Sequence, residues 1–290
     1  MPSLTPTAAS FWPSLWQAPA RFVRYRHIIR QFTRREVLGR YRGSYMGMVW
    51  SFVNPLLLLA IFTVVFKFIF HAKFTGNPRE GAFDFALMLF AGLTVYNLFA
   101  ECLGRAPSLI LLNASYVTKV VFPLEVLPLT VVLSAVLHLL ISFVPLCLGV
   151  AFLRAWGQPD TVAHGLPATI LCWPLLLPPI FFWAAGVTYL LSALGVFLRD
   201  LNQAMLAVTT ILMYASAVFY RIDQVEEPAY QAIVRANPIA FLCEQSRNLS
   251  VRDLPMDWQG YGFVLGLGIA FAALGYGVFM RVKRSFADVV

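Results

Sequence analysis

Six long apolar stretches, at roughly residues 47–70, 84–103, 126–152, 168–196, 204–220 and 260–280, constrain this chain more than any other feature. Each is near or above the ~17 to 25 residues that a helix needs to cross a bilayer. Hydrocarbon offers no water to a backbone amide, so each stretch must pair its own amides; helices are expected, and no alternating ~10-residue barrel pattern is present. The expected fold is all-α, a polytopic membrane protein with six transmembrane helices. Composition agrees, since 59% of the 290 residues are apolar and 12% are charged, against ~45–50% and ~25% in an ordinary soluble domain. The first 20 residues carry Pro2, Pro6, Pro13 and Pro19 and no compact apolar core behind a basic start, so a cleaved secretory leader is not expected.

A net charge of +8 admits a nucleic-acid partner until the charges are placed. Arg21, Arg24, Arg26, Arg30, Arg34, Arg35, Arg40 and Arg42 all precede the first stretch. With Arg105, Lys119, Arg199, Arg281, Lys283 and Arg284 they put 14 of the 22 basic residues on one side of the membrane. Short loops rich in Lys and Arg stay cytoplasmic. Both termini are therefore expected in the cytoplasm, as an even number of spans requires, and the basic partner surface is membrane lipid, with no nucleic acid.

Three regions follow: a cytoplasmic N-terminus (1–46), a membrane domain (47–280) and a cytoplasmic tail (281–290). Residues 19–42 read as an amphipathic interface helix, with Leu15, Phe22, Tyr25, Ile29 and Phe32 on one arc and Arg24, Arg30, Arg34 and Arg35 outside it. Such a helix lies along the membrane surface. Its arginines either set topology and touch anionic lipid, at ~1 kcal/mol each, or meet a partner. Residues 104–123 read as one cytoplasmic helix, with Pro107 in its first turn and Pro123 ending it; mostly apolar, it needs a surface to cover it.

The longest external segment, 221–259, mixes Asp223, Glu226, Glu227, Glu244, Asp253 and Asp257 with Ile233, Ile239, Phe241 and Leu242. Pro228 and the Asn237–Pro238 step predict two short helices between spans five and six. They either pack on the outer surface or dip back as a gate over an exit. The gate is favoured, because their apolar positions otherwise face water.

Several chemistries are missing. A phosphate-binding loop needs Gly-Lys-Ser/Thr, and none of Lys67, Lys73, Lys119 and Lys283 follows a glycine. Ion-coupled carriers hold charges in mid-span, whereas Asp84, Glu101, Glu125 and Asp200 sit at predicted span ends and only His138 lies inside one. No HExxH, no paired acids within a span and no assembled Ser/His/Asp group speak for an enzyme, so neither catalytic nor metal residues are assigned. Cys102, Cys147, Cys172 and Cys243 lack metal-ligand spacing and read as small core residues. The sequons at Asn113 and Asn248 are chance-level matches. Aromatic residues form 15% of the chain. Trp50, Phe62, Phe66, Tyr96, Phe99, Tyr214, Phe219 and Tyr220 serve either as packing groups or as flat rings over which a sugar polymer slides.

The stretch RREVLGRYRGSYMGMVWSFVNPLLLLAIFTVVF (34–66) resembles the permease subunits of type-two ATP-binding-cassette exporters for polysaccharides, the Wzm-like O-antigen and teichoic-acid group. The likeness continues in RAPSLILLNASYVTKVVFPLEVLPL (105–129), LGVFLRD (194–200) and NPIAFLCEQSRNL (237–249), and covers about residues 20–284. This resemblance implies a multi-pass subunit of the bacterial inner membrane and a homodimer. It also implies two copies of a separate ATPase, which binds ATP and Mg so that this chain carries no cofactor. The implied cargo is a polyprenyl-diphosphate-linked polysaccharide. By the same resemblance Arg34, Arg35, Arg40, Tyr41, Arg42, Arg105, Asn113, Tyr116 and Lys119 face the ATPase, and Asn237, Pro238, Glu244 and Arg247 belong to the external gate. Two positions depart from the family pattern: Leu124, where it often has Arg, and Ala217, where it often has Pro. Competing readings are an exporter of a small hydrophobic drug or lipid with the same fold, and a membrane-embedded transferase acting on a lipid-linked sugar.

Overall fold

The computed structural model describes residues 18–41, 45–69, 71, 74, 81–118, 122–156, 167–198 and 200–289. All regular structure among them is helical. The amphipathic region gives α1 (Ala18–Arg24) and α2 (Arg26–Tyr41), interrupted only at Tyr25. The apolar stretches give α3 (Trp50–Phe62, continued by a π-helical stretch Thr63–Ile69), α4 (Ala82–Arg105), α7 (Val126–Trp156), α8 (Leu177–Phe197, entered through a 3-10 segment Ala168–Leu176), α9 (Leu201–Ala215) and α12 (Trp258–Val282). Between α4 and α7 lie α5 (Leu109–Leu112) and α6 (Ala114–Thr118). Between α9 and α12 lie α10 (Pro228–Ala236), α11 (Pro238–Arg247) and a π-helical turn Asn248–Arg252; α13 (Phe286–Val289) ends the described chain.

Four helical runs, Ala82–Arg105, Val126–Ala155, Ala168–Phe197 and Trp258–Ser285, are long and apolar enough to cross a membrane. Their surroundings differ. In α4, 83% of the most apolar window is buried inside the protein, against 33% in α7 and α12. Thus α4 is the central post, packed by α7, α8, α9 and α11, while α7 and α12 turn much of their surface outward. Helices in lipid gain little from hydrophobicity against each other, so close contact is made through small residues. The α8–α12 pair follows this rule: a Cβ on Gly275 would stand 2.5 Å from the Gly186 carbonyl oxygen. Trp183 Nε1 donates to the Val264 carbonyl at 2.9 Å, and Tyr189 meets Tyr276 and Phe279 edge-on at 5.3 and 5.5 Å.

The other two predicted spans contain less regular α-helix than the sequence suggests, although helical structure runs unbroken from Gly47 to Ile69. The stretch 47–70 becomes a 13-residue α-helix followed by seven π-helical residues. The stretch 204–220 ends as a helix at Ala215, after 15 residues. At 1.5 Å per residue α9 covers only ~22 Å of a ~30 Å core. The cause is backbone geometry: Ala217 is left-handed, with φ 51, and an α-helix cannot pass through it.

The helix expected over 104–123 is also divided. Arg105 closes α4, residues 106–108 turn, and Asn113 (φ −114, ψ 27) separates α5 from α6. Its side-chain Nδ2 donates to the Leu109 carbonyl at 2.8 Å, the local competition by which Asn ends helices. Leu109 and Ile110 are buried, and α5 packs against α8. Lys119 lies outside the described residues, as do Leu15 and Arg42.

Candidate functional site

Two polar clusters stand at opposite ends of the bundle. The first gathers at the C-terminus of α4, where the helix dipole favours a cation and Arg105 supplies one. Arg105 pairs with Glu36 of α2 and reaches Glu101, one turn back on α4, at 3.2 Å. Glu101 is shared further: Ser134 Oγ of α7 donates to its Oε1 at 3.4 Å, and His138 Nδ1, one turn along α7, lies 3.1 Å from its Oε2. Glu101 therefore ties α4 to α7, and Arg105 beside it ties α4 to α2 through Glu36. Arg35, Glu36, Gly39, Glu101 and Arg105 line an open cavity of about 660 Å³ at this junction.

One residue along α2, Arg35 Nη1 donates to the Tyr116 hydroxyl of α6 at 3.2 Å while its guanidinium stacks 4.7 Å above the Phe32 ring. Phe32, Tyr116 and Phe122 form a closed aromatic group, with centroids 4.8 to 5.6 Å apart. The structure thus brings Arg35, Arg105 and Tyr116 to one face, while Asn113 shapes the α5–α6 turn beside them. Arg34 points to the other side of α2, into an apolar groove. The side chains of Arg40 and Tyr41, with Arg42 and Lys119, lie outside the described residues. Sequence reasoning passed over Glu36 and Phe122 and took Glu101 only as an acid at a span end. The Glu101–Arg105 spacing of four was the one legible signal, because such residues share a helix face.

Glu125, at the start of α7, pairs with Lys283 beyond α12. Leu124, the departure from the family pattern, is buried instead, so the cation beside Glu125 comes from the far end of the chain.

The second cluster centres on Arg247. Its side chain is 1% exposed, and its Nε donates to the Met88 carbonyl of α4 at 3.0 Å. Nη2 donates to the Ala217 and Val218 carbonyls at 2.7 and 2.6 Å, in the turn just beyond the end of α9. Nη1 reaches Glu244 at 3.2 Å, and the guanidinium lies 5.0 Å from the Phe74 ring centroid. Burial pulls this guanidinium below the usual arginine pKa, opposed by the nearby Glu244 carboxylate. A glycine makes the site possible: a Cβ on Gly92 would stand 2.4 Å from Arg247 Nη2.

Asn237 repeats the theme. Its Oδ1 caps α11 by accepting from the Ile239 amide at 2.9 Å. Its Nδ2 donates to the Ala215 carbonyl and the Ser216 hydroxyl, both at 3.1 Å. Pro238 follows at the first helical position, where a missing N–H costs nothing. Glu244 also receives Arg252 Nη1 at 3.1 Å. Cys243 and Ser246 contact the Gly92 and Ala91 carbonyls, and burial pushes the Cys243 thiol up to about 12. The residues expected to form a gate therefore fasten α11 across α4, whereas α10 buries only Val234.

The aromatic residues divide. Phe62, Phe219, Tyr214 and Tyr220 come together: Phe62 meets Phe219 at 4.9 Å, Tyr214 meets Phe219 at 5.5 Å, and Tyr220 Oη donates to the Tyr214 carbonyl at 2.8 Å. Phe99 is 1% exposed in the core, and Tyr96 is pinned by its hydroxyl to the Thr209 carbonyl. Trp50 is half-buried near the start of α3, and the Phe66 side chain lies outside the described residues. Between α4 and α9 a cavity of about 350 Å³ is lined by Tyr96, Asn202, Thr209 and Thr210, three of them polar groups that the sequence did not single out.

An all-helical bundle with long apolar spans, wrapped at one end by an arginine-rich surface helix, defines an integral membrane protein. Residues 28–249 match the ABC-2 type transporter family, and the chain belongs to that family. It is 27% identical over 264 residues to the O-antigen export system permease protein RfbA of Klebsiella pneumoniae, covering 89% of this chain and 93% of that protein. It is 28% identical over 272 residues to the protein of the same name from Myxococcus xanthus, covering 92% and 96%.

Proposed function

We propose that the chain is the permease subunit of a polysaccharide exporter, moving a lipid-linked, O-antigen-like polymer from the cytoplasmic to the external face of the bacterial inner membrane. The supporting observation is the similarity to relatives named O-antigen export system permeases, which extends over about nine-tenths of both chains. In this reading α3 with its π-helical continuation and α9 complete six spans, and both termini lie in the cytoplasm. A homodimer forms, and two copies of a separate ATPase, carrying ATP and Mg, dock at the α2, α5 and α6 face.

The ion-pair junction suits that task. Closure of the ATPases pushes on α2 and on α5–α6, and Glu36, Glu101 and Arg105 transmit the push to α4 and α7. Such transmission requires contacts that differ between two states, and a partly exposed ion pair changes partners at low cost. At the outer end α11 is the fixed frame and α10 the movable flap, turning about Asn237. The Phe62, Tyr214, Phe219 and Tyr220 group and the Asn202–Thr210 cavity are the sugar-facing surfaces.

The test is export in cells carrying Glu36→Gln with Arg105→Gln. Protein in the membrane and ATP hydrolysis by the complex should persist, while surface polymer falls by about fivefold or more, on the scale of a ~1 kcal/mol coupling. Normal surface polymer removes the junction from the mechanism. Cargo movement into liposomes by the isolated chain, without nucleotide or companion, would overturn the exporter reading altogether and favour the transferase or carrier alternatives.

A further inference from the structure

On the side of α2 opposite the ion-pair junction, a groove of about 1,060 Å³ opens between α1 and α2 on one wall and α7, α8 and α12 on the others. It exceeds the ~300 to 1,000 Å³ of ordinary small-molecule sites. Its lining is apolar over most of its length, with Ile29, Val37, Leu133, Val136, Phe181 and Ala272 among the contributors. Along α7 the lining runs from Leu129 to Leu137, and along α12 from Tyr276 back to Ile269. At 1.5 Å per residue each wall is roughly 12 Å deep, most of the ~15 Å thickness of one leaflet of hydrocarbon. The long outward faces of α7 and α12 are those that bilayer covers, so the groove opens to lipid.

One edge is charged. Arg26, Arg30 and Arg34 fall four residues apart on α2, form a single row, and all line the groove. No ion pair among the described residues engages them. Within the groove Thr33 is 7% exposed, and its hydroxyl has no hydrogen-bond partner among the described residues. A buried hydroxyl without a partner is costly, and here it sits between the cationic row and the apolar floor.

We infer that the groove holds an anionic phospholipid of the leaflet at the basic end of the bundle. Its acyl chains fill the space between α2 and the α7, α8 and α12 walls. Its phosphate meets the Arg26, Arg30 and Arg34 row, where charge-assisted bonds are strongest, and the Thr33 hydroxyl donates to an ester carbonyl. The lipid is then a wedge holding α2 against the bundle. Because Arg35 and Glu36 act from the opposite side of the same helix, lipid charge sets how firmly the ion-pair junction is backed. Cargo identity does not enter, so the site stands apart from the transport reading.

Native mass spectrometry of the purified full chain tests this with phosphatidylglycerol and phosphatidylcholine of identical acyl chains. Phosphatidylglycerol should be retained preferentially and should raise the melting temperature. An arginine near an anionic surface contributes on the order of fivefold, so Arg26→Gln, Arg30→Gln and Arg34→Gln together should lower the preference by about tenfold or more. These are surface changes that leave the core intact; Thr33→Val supplies a smaller, charge-neutral loss. Equal retention of the two lipids, or an unchanged preference in the triple variant, overturns the site. So does displacement of phosphatidylglycerol by an equal concentration of polyprenyl phosphate, which gives the groove to cargo. Cross-linking of two copies through Leu137→Cys gives it to a second chain and is equally fatal.

Discussion

At the scale of single residues, Arg247 and Gly92 act as one unit. A guanidinium removed from water needs partners for its N–H groups, and Arg247 engages all three nitrogens, four of its five N–H groups, with three carbonyls and Glu244. Replacing Gly92 by Ala puts a methyl where Nη2 lies, because the nearest atoms are the guanidinium itself. Gly92→Ala should therefore expel the side chain, strand the Ala217 and Val218 carbonyls, and cost about 2 to 4 kcal/mol. A fall in melting temperature of the purified protein measures it. Arg247→Lys should not restore stability, since an ammonium cannot span those carbonyls in one plane. In contrast, Ala217→Gly should be neutral or stabilising, because φ 51 suits a residue without a Cβ.

Among elements, the pair α10 and α11 carries unequal burdens. Ile239, Leu242, Cys243, Ser246 and Arg247 of α11 are buried, whereas Tyr230 and Ile233 of α10 are 66% and 64% exposed. Shortening the chain across residues 223–236 should leave Asn237 and Arg247 in place and preserve folding, while export of a long polymer drops and a small hydrophobic cargo passes unimpeded. Surface polymer measured beside the melting temperature separates these effects. Extending the deletion through Arg247 removes the α9–α11 fastening and should abolish folded protein. Helix α8 against α12 gives a second expectation. Gly275→Leu places four carbons against the Gly186 backbone, already 2.5 Å from the first of them, so the helices must part. A loss of about 3 kcal/mol or more is expected, with little folded protein recovered from membranes.

For the whole molecule, the least covered spans are α3 and α9, whose α-helical stretches are also the shortest among the spans. Leu56, Leu57, Ile61 and Val64 on α3, and Leu206 and Ile211 on α9, are large apolar groups exposed on the single chain. Helices too short to cross alone are accommodated by bilayer thinning or by oligomerisation. In the proposed exporter a second copy covers both, so Leu57→Cys and Ile211→Cys should each cross-link copies in native membranes, and failure of both would count against a dimer through these faces. The same arrangement leaves α7 and α12 facing lipid, consistent with their exposed outer surfaces.

Much of the architecture was legible from hydrophobicity alone. Apolar length dictated helices, because amides in hydrocarbon must bond within their own segment, and the arginine distribution marked one end of the bundle. The Asn237–Pro238 step located a helix start, since a capping side chain and a fixed φ act locally. Other features depended on residues far apart in sequence. The pairing of Glu36 with Arg105 and the fastening of the chain just past α9 by Asn237 and Arg247 came from tertiary structure. Arg247 shows the difference most clearly: in sequence it is one cation in a segment richer in acids, yet the carbonyls it binds lie 29, 30 and 159 residues away. Burial and satisfaction of a charge are properties of the assembled surroundings, and a linear pattern records only the charge.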